Sequence, residues 1–115
     1  MSGQARPTRQ VLQTICWLNV WINMFQLEYS GQFKRDFKRM VKRGADVELM
    51  RTVLHFLEND GQVPASYKPH TLSGNYQGIW ECHIEPDWLL MYDISNTIRL
   101  IRLVRTGTHS DLFRK

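Results

Sequence analysis

The sequence predicts an α+β domain whose mainly antiparallel sheet packs against two N-terminal helices. The order of the patterned segments carries this prediction. Apolar residues recur at helical spacing over about 31–43 and 46–58, and three apolar runs follow at about 78–84, 88–94 and 98–104. Helices followed by a succession of strands are typical of α+β folds. A chain of 115 residues is long enough for one domain of this kind.

The elements are expected in the order β-α-α-β-β-β. Alternating apolar and polar residues over 25–29 indicate the first strand. Ser30 is a suitable N-cap for the first helix, and Gly44 is suited to end it. Residues 62–77 are predicted to form a loop because prolines and a glycine interrupt them. The last three strands are separated by two turns, Pro86-Asp87 and Ser95-Asn96.

Composition narrows the class of protein. Hydrophobic residues make up 43% of the chain and charged residues 23%, as in ordinary soluble domains. The net charge of +4 favours a polyanionic partner only mildly. Cys16 and Cys82 have neither metal-ligand spacing nor a disulfide framework, so we expect a reducing, cytoplasmic setting. The apolar stretch 11–22 is too short and too polar to span a membrane.

A boundary at Met24 divides the chain into an extension, residues 1–23, and a domain, residues 24–115. The extension contains four apolar residues at a spacing that places them on one helical face: Val11, Ile15, Leu18 and Ile22. Three interpretations are open. The extension is an artefact of a start codon assigned too early, an amphipathic helix that packs on the domain or a partner, or a segment that lies on a membrane surface.

Three of the four histidines lie in short polar motifs of the last third of the chain. The strand near 80–85 points three polar side chains away from its apolar face: Glu81, His83 and Glu85. His70 lies in the loop before this strand and His109 follows the last strand, so all three imidazoles can converge on one sheet face. Imidazole is suited to proton transfer near neutral pH. With Asp87 they suggest acid–base chemistry on a phosphodiester; the alternative is three scattered surface histidines.

The first helix carries a basic stripe of six cations: Lys34, Arg35, Lys38, Arg39, Lys42 and Arg43. Asp36 is the only acid among them. A stripe of this kind is often just a solvated face. Because one acid cannot neutralise six cations, the pattern also favours contact with RNA phosphates.

Four further residues have structural and functional interpretations. Asp87 follows a proline and is suited either to stabilise that turn or to take part in catalysis. Arg105 can bind a phosphate or brace the fold. Trp88 begins an apolar run and is predicted to lie in the core. Phe113 lies in a charged tail, where packing explains a lone aromatic poorly, so we predict that it stacks on an RNA base.

Residues 25–113 resemble the YafQ family of messenger-RNA-cleaving toxins, in the RelE/ParE toxin superfamily. Motifs in the family's order carry the resemblance: Glu28-Tyr29-Ser30-Gly31-Gln32, Tyr67-Lys68-x-His70, Leu72-x-Gly74, His83-Ile84-Glu85-Pro86-Asp87-Trp88, Arg105-Thr106-Gly107-Thr108-His109 and Leu112-Phe113. Several spaced motifs in one order form a specific signal. The extension 1–23 lies outside the resemblance, which implies a RelE-like fold for the rest.

The resemblance implies a metal-independent endoribonuclease without a cofactor, which cuts messenger RNA in the ribosomal A site. In this reaction the RNA 2′-hydroxyl attacks the adjacent phosphate, and a base, an acid and charge stabilisation are needed. The implied catalytic residues are His70, His83, Asp87 and His109. We assign His70 as the base and His109 as the acid, with His83 and Asp87 orienting groups and balancing charge; these roles can be permuted within the set.

The resemblance also implies the partners. Together with the charge pattern described above, it leads us to expect RNA contacts from cations and one aromatic ring: Lys68, Arg105, Phe113, Lys34, Lys38, Arg39 and Lys42. A cognate antitoxin with an acidic, partly disordered segment would cover the cationic surface. Two rival functions share the fold: a ParE-like toxin that poisons gyrase, and a member that binds RNA or an antitoxin without catalysis. The histidine set argues against the first, because a gyrase binder needs no proton-transfer groups.

Overall fold

A computed structural model describes residues 24–113, which form one five-stranded sheet with two long helices packed on one of its faces. The elements in chain order are β1 (Gln26–Tyr29), α1 (Gly31–Lys42), α2 (Val47–Asp60), β2 (His70–Thr71), β3 (Trp80–Glu85), β4 (Trp88–Ser95), β5 (Leu100–Gly107) and α3 (His109–Phe113). The strand order is β1-β5-β4-β3-β2, with β1 parallel to β5 and the other neighbours antiparallel. The predicted α+β class is therefore confirmed.

Local chemistry sets the ends of the two long helices. The Ser30 hydroxyl accepts a hydrogen bond from the Phe33 N–H at 2.9 Å and caps α1, as predicted. Asp46 caps α2 in the same way. Gly61 ends α2 in the left-handed conformation, with φ of 74°, and a Cβ atom there would lie 2.4 Å from the Phe25 ring. Glycine at this position therefore permits both the turn and the packing of β1.

The main core lies between the helices and the sheet. It combines buried residues of α1, α2 and the three long strands, including Phe33, Met50, Leu57, Cys82, Leu90, Tyr92, Ile101 and Leu103. Burial raises the pKa of the Cys82 thiol to about 12, so this cysteine is a core residue and not a reactive one. A smaller cluster of Leu89, Met91 and Leu112 covers part of the opposite face. The rest of that opposite face carries the histidines.

Two elements were not predicted from the sequence. The segment predicted as a loop, 62–77, contains the two-residue strand β2, and the chain end forms the five-residue helix α3. Both are too short for a hydrophobic pattern to repeat clearly, so periodicity does not reveal them. The three interpretations of residues 1–23 lie outside the described residues. Within 24–113, no helix is long and apolar enough to cross a membrane.

Candidate active site

The sheet brings the three histidines of the polar motifs into one row. The ring centroids of His70 and His83 are 6.0 Å apart, and those of His83 and His109 are also 6.0 Å apart. His83 on β3 is paired with Leu89 on β4, which is paired with Gly107 on β5. His109 begins α3 two residues after Gly107. On the other side, β2 places His70 opposite Glu81 of β3.

His70 is engaged through both ring nitrogens. Its Nδ1 lies 2.8 Å from the Lys68 carbonyl oxygen, and its Nε2 lies 3.0 Å from Glu81 Oε1. A carbonyl can only accept, so Nδ1 carries a hydrogen. Nε2 faces the carboxylate of Glu81 at ion-pair distance. Glu81 is 4% exposed, and its Oε2 is buried without a hydrogen-bond partner among residues 24–113.

His109 forms a second imidazole–carboxylate pair with a different geometry. Asp87 Oδ1 accepts from the His109 backbone N–H at 3.0 Å and contacts His109 Nδ1 at 2.6 Å. These backbone and side-chain hydrogen bonds lower the pKa of Asp87 below its ordinary value. Both side chains are exposed, and in the described part of the chain Nε2 of His109 has no hydrogen-bond partner. The Phe113 ring flanks the imidazole at 6.4 Å.

His83 lies between these two pairs and is half-buried. Neither of its ring nitrogens has a hydrogen-bond partner within residues 24–113. Ligand atoms of His70, Glu81 and His83 all lie within 4.8 Å of one another, so these three residues form a group that could hold a metal ion. Within the described residues, both ring nitrogens of His83 are therefore unengaged, whereas His70 and His109 on either side are each paired with a carboxylate.

Arg105 is placed as a brace, one of its two predicted roles. Its Nε and Nη2 donate to Asp36 at 3.0 Å each, and the Thr106 backbone N–H donates to the same carboxylate at 3.3 Å. Asp36 is fully buried. Burial opposes its ionisation, but the hydrogen bonds from Arg105, Gln32 and Thr106 outweigh that effect and lower the pKa of Asp36.

The basic stripe is less uniform than the sequence indicates. Asp36 is not part of a solvated face: it points inward and pairs with Arg39 at 3.2 Å. Arg43 forms an ion pair with Asp111 at 2.7 Å. Three lysines of the stripe are exposed and have no carboxylate partner among residues 24–113: Lys34, Lys38 and Lys42. These lysines keep the stripe cationic.

The two aromatic residues differ as predicted in burial. Trp88 is 2% exposed and donates from Nε1 to the Thr106 hydroxyl at 2.9 Å, which confirms its place in the core. Phe113 is 40% exposed and contacts Tyr76 edge-on, with ring centroids 6.2 Å apart. Lys68 is exposed beside His70. Phe113 and Lys68 are therefore accessible to a ligand at the histidine row.

Sequence reasoning missed two carboxylates of this region. Strand alternation placed Glu81 on the histidine face, but nothing local reveals that β2 covers it. A signal for Asp36 was present, because positions 33, 36, 37 and 40 share one helical face and three of them are apolar. A carboxylate on an apolar stripe is expected to be buried and paired.

Residues 25–114 match the family described as "Bacterial toxin of type II toxin-antitoxin system, YafQ". The chain belongs to this family. The mRNA interferase toxin YafQ of Escherichia coli K12 is 41% identical over 88 residues, which cover 76% of this chain and 94% of that protein. "Putative toxin YafQ" of Haemophilus influenzae is 32% identical over 90 residues, or 74% of this chain and 88% of that one.

Solved structures of YafQ proteins and other toxins have the same fold. The toxin in the E. coli DinJ–YafQ complex superposes with a TM-score of 0.70 at 40% identity, covering 77% of this chain and 98% of that chain. A metal-bound toxin from Helicobacter pylori superposes with a TM-score of 0.71 at 40% identity, covering 78% of this chain and all of that one. The resemblance seen in the motifs is therefore confirmed over nearly the whole described domain.

Proposed function

We propose that this chain is the toxin of a type II toxin–antitoxin system and that it cleaves messenger RNA with its histidine row. The observation that carries the proposal is the convergence of three imidazoles at 6.0 Å spacing on one sheet face. The similarity to a relative named as an mRNA interferase supports the choice of substrate. Fold alone would leave gyrase poisoning open, but that function has no use for such a cluster.

The reaction is a transfer within the RNA backbone. A base removes the proton of the 2′-hydroxyl, whose oxygen forms a bond to the adjacent phosphorus. The bond from phosphorus to the 5′-oxygen breaks, and an acid protonates that oxygen. The products are a 2′,3′-cyclic phosphate and a free 5′-hydroxyl. In the five-coordinate transition state, nearby cations stabilise the added negative charge.

We assign the acid to His109. Asp87 holds its Nδ1 at 2.6 Å, so Nε2 is directed away from the pair and is accessible. A proton on Nε2 can therefore pass to the leaving oxygen. The exposed ring of Phe113 at 6.4 Å is suited to stack on the base next to the cut. This arrangement supports the sequence-based role of His109.

The geometry favours a permutation of the other two histidines. The sequence assignment made His70 the base, but both of its nitrogens are engaged by Lys68 and Glu81. A base needs a free lone pair, and His83 offers one without breaking a contact. We therefore assign His83 as the base. We assign His70, whose Nε2 faces Glu81 at 3.0 Å, to charge stabilisation at the phosphate.

We further propose that cleavage depends on the ribosome and needs no metal. The exposed lysines of α1 are suited to ribosomal RNA because each phosphate that they neutralise releases a counterion. The test is primer-extension mapping of cuts on a transcript, with purified protein, in the presence and absence of programmed ribosomes. Cuts should appear only with ribosomes and should persist in EDTA. Loss of cutting in the chelator would instead assign a metal to the His70–Glu81–His83 group.

The partner that we propose is a cognate antitoxin. YafQ of E. coli has been solved in complex with DinJ, and the present chain has a net charge of +4 with three unpaired lysines exposed on the described part of α1. An acidic segment that folds on binding would match that charge. Co-expression with the neighbouring gene should restore growth. If the chain alone is harmless at high expression, or if DNA supercoiling changes while messenger RNA stays intact, the proposal is wrong.

A further inference from the structure

The starting observation is one carboxylate that receives an unusual number of donors. Asp36 of α1 is fully buried. It accepts hydrogen bonds from five groups: Gln32 Nε2 at 2.9 Å, Arg39 Nη2 at 3.2 Å, Arg105 Nε and Nη2 at 3.0 Å each, and the Thr106 N–H at 3.3 Å. Two guanidinium groups therefore share one buried negative charge. Such a costly arrangement is held only by good geometry, and it fixes its partners closely.

The position of Asp36 follows from the sheet topology. β1 is paired with β5 only as far as Tyr29 opposite Leu103. Beyond that point α1 lies along the edge of β5: the Ser30 hydroxyl donates to the Val104 carbonyl at 2.9 Å, and Asp36 accepts from Thr106 N–H. Asp36 thus takes the place of a strand partner where the parallel ladder ends. This contact brings its charge to the part of β5 that precedes His109.

Arg105 is held on the face of the sheet that carries the histidines. His83 is opposite Leu89, and Leu89 is opposite Gly107, so these three positions lie on one face of the sheet. Arg105 is two residues before Gly107 on β5 and therefore lies on the same face. Asp36 occupies the Nε and Nη2 edge of the guanidinium. Among residues 24–113 the Nη1 group has no carboxylate partner, and the side chain is 23% exposed, so this group can donate to a further acceptor beside Tyr76.

A chain of contacts joins this guanidinium to the proposed acid. Hydrogen bonding to Asp36, and to a smaller extent to the Tyr76 hydroxyl, raises the pKa of Arg105. The Tyr76 ring meets Phe113 edge-on at 6.2 Å, and Phe113 lies 6.4 Å from His109. Arg105 is therefore fixed between α1 and the aromatic side of the histidine row.

We propose that Asp36 is a positioning residue for RNA cleavage, which orients Arg105 so that its Nη1 edge contacts the phosphate that reacts at the histidine row. This inference rests on the proposed function. A guanidinium held on one edge by a carboxylate loses little freedom when its other edge binds a phosphate oxygen. Because Arg39 shares the same carboxylate, the group of three keeps a net positive charge that faces the anionic substrate.

The test is a double-mutant cycle in the full chain, read by single-turnover cleavage. Asp36→Asn should lower the rate about 10- to 100-fold, as expected when a group close to the reacting phosphate is misplaced. In the Arg105→Ala background the same substitution should change the rate less than about twofold, because the residue that it positions is absent. Glu28→Gln is the matched control: it breaks the exposed 2.7 Å ion pair with Arg102 between β1 and β5 and should leave the rate unchanged.

A second readout does not depend on cleavage. The Arg105 Nε–H resonance should be protected from solvent exchange in the wild-type chain and should exchange rapidly in Asp36→Asn. If the wild-type chain fails to cut RNA, the proposed function is wrong, while this resonance still decides whether Asp36 fixes Arg105. Equal losses of cleavage in the wild-type and Arg105→Ala backgrounds, or a protected resonance in Asp36→Asn, would overturn the inference.

One more variant covers the case in which Asp36→Asn does not fold. Arg105→Lys keeps a cation on Asp36 but has no second edge to offer a phosphate. Its circular dichroism should match the wild type while its single-turnover rate falls at least about tenfold, the lower end of what misplacement costs. A folded Arg105→Lys chain with the wild-type rate would overturn the inference.

Discussion

The two imidazole–carboxylate pairs at the ends of the histidine row differ in burial and in the state of the ring. In the His70–Glu81 pair the carboxylate is buried and both ring nitrogens are engaged. In the His109–Asp87 pair both side chains are exposed, and within residues 24–113 the hydrogen bonds of Asp87 go only to Nδ1 and the backbone N–H of His109. The two pairs contain the same chemical groups, yet only the second leaves a ring nitrogen accessible to a substrate.

This difference teaches how one pair of groups can have two functions. A buried carboxylate favours a proton on its partner, since an isolated buried charge is costly. His70 has Nδ1 on the Lys68 carbonyl and Nε2 against the buried carboxylate of Glu81, an arrangement that suits charge stabilisation. Exposed Asp87 fixes the tautomer of His109 and leaves Nε2 for proton transfer, as in a catalytic His–Asp pair. The assignment of roles follows from the second contact of each ring and not from the carboxylate itself.

The largest effect on cleavage is expected from the His109–Asp87 pair, whose imidazole has an accessible nitrogen. His109→Ala removes the proposed acid and should reduce single-turnover cleavage by about 10²–10⁴-fold. Binding to ribosomes should persist, because the lysines of α1, to which we assign the electrostatic attraction, remain in place. Rates on programmed ribosomes and a ribosome-pelleting assay check the two expectations. Equal losses of binding and cleavage would mean that His109 positions RNA without transferring a proton.

The next largest effect on cleavage is expected from the His70–Glu81 pair. Substitutions of His70 can distinguish a role in charge stabilisation from a role in proton transfer. His70→Gln should reduce cleavage by about 10²-fold, the scale for loss of one group that stabilises transition-state charge. His70→Lys restores a cation next to Glu81 and should recover at least tenfold of that loss, an order-of-magnitude expectation for a charge that is displaced but present. The same measurement on His83→Lys serves as the control, because a base cannot be replaced by a cation. Recovery in His83→Lys and none in His70→Lys would reverse the two assignments.

A smaller effect on cleavage is expected when only the negative charge of Asp87 is removed. A single oxygen, Asp87 Oδ1, accepts from both the His109 N–H and Nδ1. In Asp87→Asn the amide oxygen can keep both bonds, so the tautomer survives and the rate should fall by about tenfold or less. Asp87→Ala loses both bonds and should cost about 10²-fold. If both variants are equally impaired, charge and not orientation is the contribution of Asp87.

The same carboxylate has a defined pH dependence. Hydrogen bonds from His109 hold the pKa of Asp87 below its ordinary value of 3.8, so the stability that it contributes is present above pH 3.8 and is lost as the pH falls through the lowered value. Asp87 therefore stays ionised throughout the neutral range. Protonation of Asp87 therefore cannot produce an acidic limb of the cleavage profile above pH 5, so any such limb should still be present in Asp87→Asn when rates are measured against pH.

The sequence revealed the parts of the molecule that local patterns determine. Periodicity predicted both long helices and all the long strands, and strand alternation put His83 on the face where it is found. The partners of the histidines were harder to predict, since Glu81 is buried by a two-residue strand that has no pattern of its own. Asp36 was read as part of the basic stripe, because its burial depends on where β1 stops pairing with β5. Long-range register, which no local motif encodes, fixes these contacts.

The smallest effect on cleavage by the two pairs is expected from removal of residues 1–23. The contacts described for both pairs lie within 24–113, and the core there combines buried residues from both long helices and the three long strands. A chain that begins at Met24 should therefore fold and should cut RNA at the wild-type rate.

The opposing argument is that exposed apolar side chains at 11–22 would cost about 25 cal/mol per Å² in water. If they pack on the domain, truncation should lower the melting temperature by more than about 5 °C, which is roughly 1 kcal/mol for a domain of this size. Melting curves and cleavage rates of the full and truncated chains decide between the two, and a loss of cleavage without a loss of stability would place the extension at the RNA-binding surface.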